Sequence, residues 1–222
     1  MIGITERGDA GLDHSWLKHE GPKIVITKSP HLLPIDKMDP KTTIIHCTIT
    51  GMGGTIIEPY VLPPEKTLPV YHELSKTFHT VLRIDPIFPN YLDFAFNAIF
   101  GLIPGGRVRI SFLDAYSHVR DRFKASGLTK SINWEGLHAP LQLRQEGLSK
   151  LKKYAPQIEV CGEPGMECTG CVSKKDVDFF GLASPNKLAN IRHGCACLIE
   201  KTELLTNKKR CAHKCLYCYW YD

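Results

Sequence analysis

Six short apolar runs, rich in β-branched residues, recur along the first three quarters of the chain. Each run ends in a polar or glycine-rich segment. Near-continuous stretches of Val and Ile are typical of parallel strands that are buried on both faces. The pattern therefore predicts six strands, at Ile2–Thr5, Lys23–Thr27, Thr42–Thr50, Thr80–Ile84, Arg107–Leu113 and Gln157–Cys161.

Helical patterns separate the later strands. Apolar residues at Leu68, Tyr71 and Leu74 lie at helical spacing and predict a helix over Pro64–Phe78. The other helix candidates are Ser117–Ala125, Ala139–Tyr154 and Asn90–Phe100, of which the last is apolar almost all round and could instead be a packed loop. The first two connections between strands are too short for full helices, so we expect an incomplete outer ring of helices.

The alternation of strands and helices predicts the fold class. It implies right-handed βαβ units and a parallel sheet, and six strands fall short of the eight of a closed barrel. We therefore predict an α/β fold, a partial (β/α)6 TIM-like barrel, over residues 1–160. Residues 161–222 are cysteine-rich and without clear periodicity. We predict that they form an iron–sulfur or other metal-binding cap over the mouth of the barrel.

Composition narrows the class of protein. The chain has 222 residues, of which 43% are hydrophobic and 23% charged, as in ordinary soluble domains. The sequence contains neither an apolar run of membrane-spanning length nor a secretory signal. We expect a cytoplasmic protein with no membrane association. The net charge of +5 permits a polyanionic partner without requiring one.

The nine cysteines point to metal binding, because a reducing cytoplasm disfavours disulfides. Three of them, Cys211, Cys215 and Cys218, form a C-x3-C-x2-C motif, with Tyr217 before the third. Three thiolates can bind a [4Fe–4S] cluster and leave one iron without a protein ligand. That iron could chelate the amino and carboxylate groups of S-adenosylmethionine (SAM). A zinc knuckle, or reactive thiols in a terminal tail, are the alternatives.

A second set of cysteines precedes the terminal motif. It has the spacing C-x6-C-x2-C followed by C-x-C, and comprises Cys161, Cys168, Cys171, Cys195 and Cys197. Four thiolates could hold a second [4Fe–4S] cluster or a structural Zn²⁺, and the spacing does not choose between them. We favour the cluster, because the set lies beside a redox site. Buried cysteines that act as small hydrophobic residues are the alternative.

Polar residues follow the predicted strands, where the chemistry of parallel barrels gathers. Arg83, Asp85 and Asp114 are candidate substrate contacts or catalytic groups. Charges of both signs suit a zwitterion such as SAM, although they could instead pair with one another. The candidate cofactor-binding residues are Glu58, Ser111, Glu163, Gly51 and Gly53.

The terminal motif is the signature of the radical SAM superfamily, which the chain resembles at these residues. Gly162-Glu163-Pro164 resembles the motif by which such proteins hold the methionine amine. Nearly the whole chain resembles a bacterial family of radical SAM-like proteins, DUF1848, whose cluster motif is C-terminal. The segments that carry this resemblance are Gly3–Asp9, Ile26–Pro30, Thr48–Gly51, Glu58–Pro59, Arg83–Ile87, Ile110–Tyr116 and the order of the cysteines. The segment Cys215–Tyr219 is also similar to the tail of spore photoproduct lyases, which repair DNA.

The resemblance implies an enzyme that cleaves SAM to a 5′-deoxyadenosyl radical, which abstracts hydrogen from a substrate. It implies an electron donor such as flavodoxin or ferredoxin. A nucleic acid or nucleotide is the first expectation for the substrate. It also implies Cys161, Cys171, Cys195 and Cys197 as the second ligand set, with Cys168 as a spare or alternative ligand. The alternative function is a non-enzymatic, zinc- or Fe–S-stabilised module that binds nucleic acid.

Two features depart from the usual radical SAM pattern. The cluster motif follows the last predicted strand rather than the first. The loop Glu6–Asp9 also lacks the expected pair of adjacent basic residues. Loops after every parallel strand emerge on one face of a barrel, so a late motif can still reach the same mouth.

Overall fold

The computed structural model describes residues 1–183, 196–198, 201–205 and 211–220. Within these residues, seven parallel strands form one sheet that curls into a half barrel, in the order β6-β5-β4-β3-β2-β1-β7. The strands are β1 (Ile2–Ile4), β2 (Lys23–Thr27), β3 (Thr43–Thr48), β4 (His79–Ile87), β5 (Arg107–Phe112), β6 (Glu159–Val160) and β7 (Lys201–Glu203). The predicted α/β class and partial parallel barrel are confirmed, and the six predicted strands lie side by side in chain order.

Five α-helices lie in the described part of the chain: α1 (Pro64–Leu74), α2 (Leu92–Ile99), α3 (Ser117–Ala125), α4 (Leu141–Lys152) and α5 (Lys174–Phe179). The first four match the predicted helices. The first two connections contain only short 3-10 turns, so the outer ring of helices is incomplete, as predicted. None of the helices in these ranges combines the length and the apolar character needed to cross a bilayer.

The prediction of six strands misses one. Strand β7 pairs in parallel with β1, with Gly3 opposite Thr202, and it comes from the segment that we assigned to the cap. Its sequence, Lys-Thr-Glu, has no apolar run, because β7 lies at the edge of the sheet with its residues half-buried or exposed. Hydrophobic periodicity therefore gives no signal for it.

The two faces of the sheet are packed differently. Successive side chains of a strand point to opposite faces. On the outer face, residues such as Val25, Ile45 and Leu82 form a core with Tyr71 of α1, Ala98 of α2 and Leu151 of α4. Burial of a large aliphatic side chain stabilises a fold by roughly 1.5–3 kcal/mol, so this face supplies much of the stability.

The inner face is covered by the cysteine-rich segment rather than by the outer helices. Ile2, Ile24 and Ile44 pack against Val172 and Val177 there. Farther along the same face, the strands carry charged side chains, such as Arg83 and Asp85 on β4. The inner face is therefore apolar near the start of β1, β2 and β3 and charged near the end of β4, at the mouth of the half barrel.

Candidate functional site

A cavity of about 340 Å³ lies at the carboxyl ends of β1 to β4. This volume is in the range of about 300–1,000 Å³ that is typical of small-molecule sites. The segment 211–220 covers the cavity and contributes Cys211, Cys215 and Cys218 to its lining. The structure thus brings the three cysteines of the terminal motif to the strand ends, next to charged residues of both signs.

Asp9 anchors one side of the terminal segment. Its carboxylate accepts hydrogen bonds from the Thr27 hydroxyl at 2.6 Å and from the Lys28 backbone amide at 2.7 Å, and lies 2.9 Å from Nε2 of His213. Burial would raise the pKa of Asp9, but its contacts with His213 and Thr27 lower the pKa overall. A charged Asp9 therefore holds the loop between Cys211 and Cys215 against the ends of β1 and β2.

Glu58 anchors the other side. This carboxylate is 1% exposed and accepts hydrogen bonds from Nζ of Lys28 at 2.9 Å, from the Thr50 hydroxyl at 2.7 Å and from the Tyr217 hydroxyl. Burial would lower the pKa of Lys28, but the charge of Glu58 raises it overall, so Lys28 is a buried cation. The Leu216 amide also donates to the Ile57 carbonyl at 3.0 Å, which fixes the backbone beside Cys215.

Arg83 and Asp85 form an ion pair in the cavity lining. Nε of Arg83 donates to Oδ2 of Asp85 at 3.0 Å, and Nη2 donates to the same oxygen. Nη1 of Arg83 is buried without a hydrogen-bond partner among the residues that the structure describes. Burial would lower the pKa of Arg83, but Asp85 and other anionic neighbours raise it. Arg83 therefore carries a fixed positive charge and has an unused donor.

Two aromatic side chains at the rim each lie beside a cation. The guanidinium of Arg7 is 5.3 Å from the centroid of the Trp220 ring, and Nζ of Lys214 is 5.1 Å from that of Tyr60. All four side chains are exposed. Lys214 has a φ of +51°, a left-handed conformation that is uncommon for residues other than glycine. The rim therefore offers flat apolar surfaces with positive charge next to them.

The terminal thiols are near enough to one another to interact electrostatically. Burial raises the pKa of Cys215 to about 12, and the nearby Lys28 opposes that shift only in part. Burial also raises the pKa of Cys211. Without a bound cation, these two side chains are therefore held as neutral thiols.

The donor chemistry of this trio fits an iron–sulfur cluster, because three protein thiolates leave one iron of a [4Fe–4S] cluster open. In the described ranges, no group of three or more His, Cys, Asp or Glu side chains is arranged to hold a single metal ion. In a cluster each thiolate binds a different iron, so the sulfur atoms stand farther apart than the donors of a mononuclear site. All three cysteines line the cavity, and the presence of a cluster there stays a prediction.

The second cysteine set is partly assembled on the inner face. Sγ of Cys171 lies 3.2 Å from Sγ of Cys197, and Cys161 also forms a hydrogen bond with Cys171. Nζ of Lys201 donates to Sγ of Cys171 at 2.9 Å. Cys195 lies outside the described residues. Three of the four predicted ligands therefore meet in the core, and what they bind is a prediction.

Cys168, the spare or alternative ligand, is near enough to Cys161 to interact with it electrostatically. Its sulfur is 3.3 Å from both the backbone nitrogen and the backbone carbonyl oxygen of Glu163. These contacts hold the turn that follows β6.

A buried ion network ties helix α5 to the sheet beside the second cysteine set. Nη2 of Arg109 donates to Asp176 at 3.0 Å and Nε donates to Glu159 at 3.1 Å, while Nη1 donates to the Cys171 carbonyl at 2.8 Å. Arg107 bonds to the same two carboxylates. Our sequence analysis missed this network. The signal was Arg107-x-Arg109-x-Ser111, a spacing of two that puts polar side chains on one face of a buried strand.

The comparisons with known proteins give one family. The sequence profile of a domain of unknown function, DUF1848, matches residues 24–220. The chain belongs to the DUF1848 family. The matched range of this DUF1848 protein includes every cysteine and runs from β2 to Trp220. Neither the curated proteins nor the solved structures contain a match to the chain.

Glu163 and Ser111, both predicted cofactor contacts, do not line the cavity of this DUF1848 protein. Glu163 is 2% exposed and accepts hydrogen bonds from the Phe112 amide at 2.6 Å, the Ser111 hydroxyl at 3.1 Å and Nη1 of Arg144 at 2.8 Å. Burial raises the pKa of Glu163 to about 7, against the effect of these donors. In this structure, Glu163 fastens β5, α4 and the turn after β6 to one another.

The two predicted glycines also lie away from the cavity lining. Gly51 has a φ of +85°, and a Cβ there would lie 1.9 Å from the Phe94 carbonyl oxygen. A Cβ on Gly53 would lie 2.2 Å from the Leu62 carbonyl oxygen. The close approach of neighbouring backbone therefore explains both glycines.

Asp114 does not line the cavity itself but contacts Tyr219, a residue that does. Oδ1 of Asp114 is 2.7 Å from Nδ1 of His138, and the Asp114 amide donates to the Tyr219 hydroxyl at 2.9 Å. Tyr219 lines the cavity. Asp114 is thus connected to the site through Tyr219, whereas Arg83, Asp85 and the three cysteines line it directly.

Proposed function

We propose that the protein is a radical SAM enzyme whose [4Fe–4S] cluster is held by Cys211, Cys215 and Cys218. The observation that carries this proposal is that three thiols and the charged ends of four parallel strands line one cavity. A cofactor held by the cysteines would thus lie beside groups able to bind a zwitterion. The strand-end position also suits a barrel enzyme.

The charges of the cavity supply the contacts that SAM requires. Arg83 has a buried, unused donor, and Arg7 is exposed at the rim, so these cations suit a carboxylate. Asp85 suits the amine. We assign the amine to Asp85 rather than to Glu163, because Asp85 lines the cavity and Glu163 does not.

When bound and reduced, the cluster would supply the electron that cleaves SAM to methionine and a 5′-deoxyadenosyl radical. The chain's own residues bind, orient and shield the reactants. Tyr217 is 5% exposed and is fixed by Glu58, so it limits the entry of water beside the cysteines. An electron donor such as flavodoxin or ferredoxin would then deliver the reducing equivalent.

The rim favours a nucleotide or nucleic acid as the substrate. Aromatic surfaces that stack with bases, combined with cations for phosphate groups, are the usual means of binding single strands. Trp220 with Arg7 and Tyr60 with Lys214 provide both features at the edge of the cavity. Trp220→Ala is therefore expected to weaken the binding of an oligonucleotide by roughly 1–3 kcal/mol, measured by fluorescence anisotropy. Unchanged anisotropy at low salt would contradict this assignment.

The test of the activity is anaerobic reconstitution with iron and sulfide, followed by addition of SAM and dithionite. We expect 5′-deoxyadenosine from the wild-type protein and none from Cys218→Ala. Cys47→Ala is the matched control, because Cys47 is a core residue of β3 with no exposed area and should lose only packing. Zinc without iron, together with no product, would instead favour the non-enzymatic nucleic-acid module.

A further inference from the structure

Lys28, in the cavity lining, forms an ion pair with Glu58, a buried residue behind that lining, and substrate binding does not explain this pair. Nζ of Lys28 lies 2.9 Å from Oε1 of Glu58, and their side chains are only 15% and 1% exposed. Buried ion pairs rarely add stability, because desolvation offsets the attraction between the charges. The position of this pair beside the terminal cysteines suggests a role other than folding.

The pair is built into the wall next to two of the cysteines. The ammonium of Lys28 is 5.2 Å from the centroid of the Tyr217 ring, and Tyr217 stands between Cys215 and Cys218 in the chain. The Glu58 carboxylate accepts a hydrogen bond from the Tyr217 hydroxyl. Both charges also act on Cys215 electrostatically, in opposite directions. The pair therefore presents two fixed charges to whatever the thiols hold.

We propose that Lys28 and Glu58 act in opposite directions on the reduction potential of the cluster at the terminal cysteines, each charge offsetting the effect of the other, an inference that rests on the proposed function. Reduction adds a negative charge to a cluster. A neighbouring cation stabilises the reduced form and an anion destabilises it, and nearby charges and solvent exposure are known controls of such potentials. Because both groups are buried, solvent screens their effect only weakly.

The two charges should have opposite effects when they are removed one at a time. Lys28→Met leaves the Glu58 carboxylate uncompensated, so the midpoint potential should shift to more negative values. Glu58→Gln leaves the Lys28 ammonium uncompensated, so the midpoint should shift to more positive values. The double variant removes both charges and should return close to the wild-type potential. A purely structural role would not produce shifts of opposite sign.

The experiment is an anaerobic redox titration of the four reconstituted proteins, followed by EPR, with iron content measured in parallel. Lys214→Met is the matched control, because Lys214 is a cation of the same cavity lining that is exposed to solvent. Its potential should move less than that of Lys28→Met. If Lys28→Met does not load iron, Lys28→Arg, which keeps the charge, should match the wild-type potential while Glu58→Gln still shifts it upward.

The outcomes separate this inference from the proposed function. Shifts of opposite sign, with a double variant near the wild type, support the role of the pair. Equal potentials in all variants that bind iron, or shifts of the same sign in both single variants, would overturn the role of the pair. They would leave the proposal of a cluster intact. Absence of a redox-active iron centre in the wild type would instead refute the proposed function.

Discussion

The two cysteine groups of this protein differ in surroundings rather than in residue type. Cys211 and Cys218 are half-buried and line a cavity whose walls carry charges of both signs. Cys171 and Cys197 are 3% and 0% exposed and lie in the core of the inner face, and Cys171 is also bonded to Lys201. The first group can meet a ligand from solvent, whereas the second is closed off.

The comparison shows that the same sheet places cysteine side chains in two environments, a closed core and an open cavity. Toward the start of β1, β2 and β3, the inner face is apolar and buries the second group of thiols. Toward the strand ends, charged side chains keep a cavity open. We therefore expect changes near the second group to act mainly on stability, and changes near the terminal group to act mainly on chemistry.

The largest expected effect is at Arg109, in the closed region. Arg109→Met leaves Glu159 and Asp176 short of a buried partner and should lower the free energy of unfolding by roughly 3–5 kcal/mol. Both carboxylates are almost fully buried in the ion network. Urea unfolding followed by circular dichroism measures the loss.

Lys174→Ala is the control for Arg109→Met. It breaks an ion pair on the exposed face of the same helix α5, with Asp178 at 2.7 Å. The expected loss is below about 0.5 kcal/mol. Similar losses from the two variants would mean that the buried network is no more important than the surface of the helix.

The second prediction is a pH dependence centred on Glu163. Folding raises its pKa from 4.5 to about 7, so the folded protein holds a proton that the unfolded chain has released between these values. Stability should therefore fall as the pH rises from 4.5 to about 7, by roughly 3 kcal/mol if Glu163 acts alone. Urea unfolding at several pH values measures this slope, and Glu163→Gln should flatten it. An identical slope in the variant would contradict the assignment.

Asp9, at the open cavity, should respond with the opposite sign. Folding lowers its pKa below the ordinary value of 3.8, so the stability that it contributes is present above that pH. It should be lost as the pH falls below 3.8 and through the folded value. Asp9→Asn should reduce this acid sensitivity, measured by acid titration of the unfolding midpoint. A variant as acid-sensitive as the wild type would show that Asp9 is not responsible.

The smallest expected effect concerns thiol accessibility in the metal-free protein. Cys211 and Cys218 should be alkylated by iodoacetamide at least about tenfold faster than Cys171 and Cys197, because the second pair reacts only when the inner face opens. Mass spectrometry of peptides after timed labelling measures the rates. Equal rates for the two groups would remove the distinction between the open and the closed region.

Much of the fold follows from local patterns. The apolar runs identify β1 to β6, because these parallel strands are covered on both faces and most of their residues are buried. Strand β7 has no such run. It forms by pairing with β1 at the edge of the sheet, where its side chains are half-buried or exposed. Helix α5 lies in a segment without clear apolar periodicity, although Ser173 and Asp176 form a capping box that marks its start.

The candidate site is only partly readable from the sequence. The spacing of the terminal cysteines identifies them as a group, and strand ends identify Arg83 and Asp85. Lys28 and Glu58 meet only in three dimensions, because they follow different strands and are joined by a hydrogen bond across 30 positions. The ion pair between Glu163 and Arg144 also depends on how α4 packs, and the hydrophobic periodicity of the sequence does not reveal that packing.

The most direct test of the central claim is the EPR spectrum of the reduced, reconstituted protein before and after addition of SAM. If Cys211, Cys215 and Cys218 hold a [4Fe–4S] cluster with an open iron at the cavity, SAM should change the g-values of the signal. Cys47→Ala should keep this response, and Cys211→Ala should lose it. A wild-type signal that SAM leaves unchanged, or a response to SAM that persists in Cys211→Ala, would contradict the account.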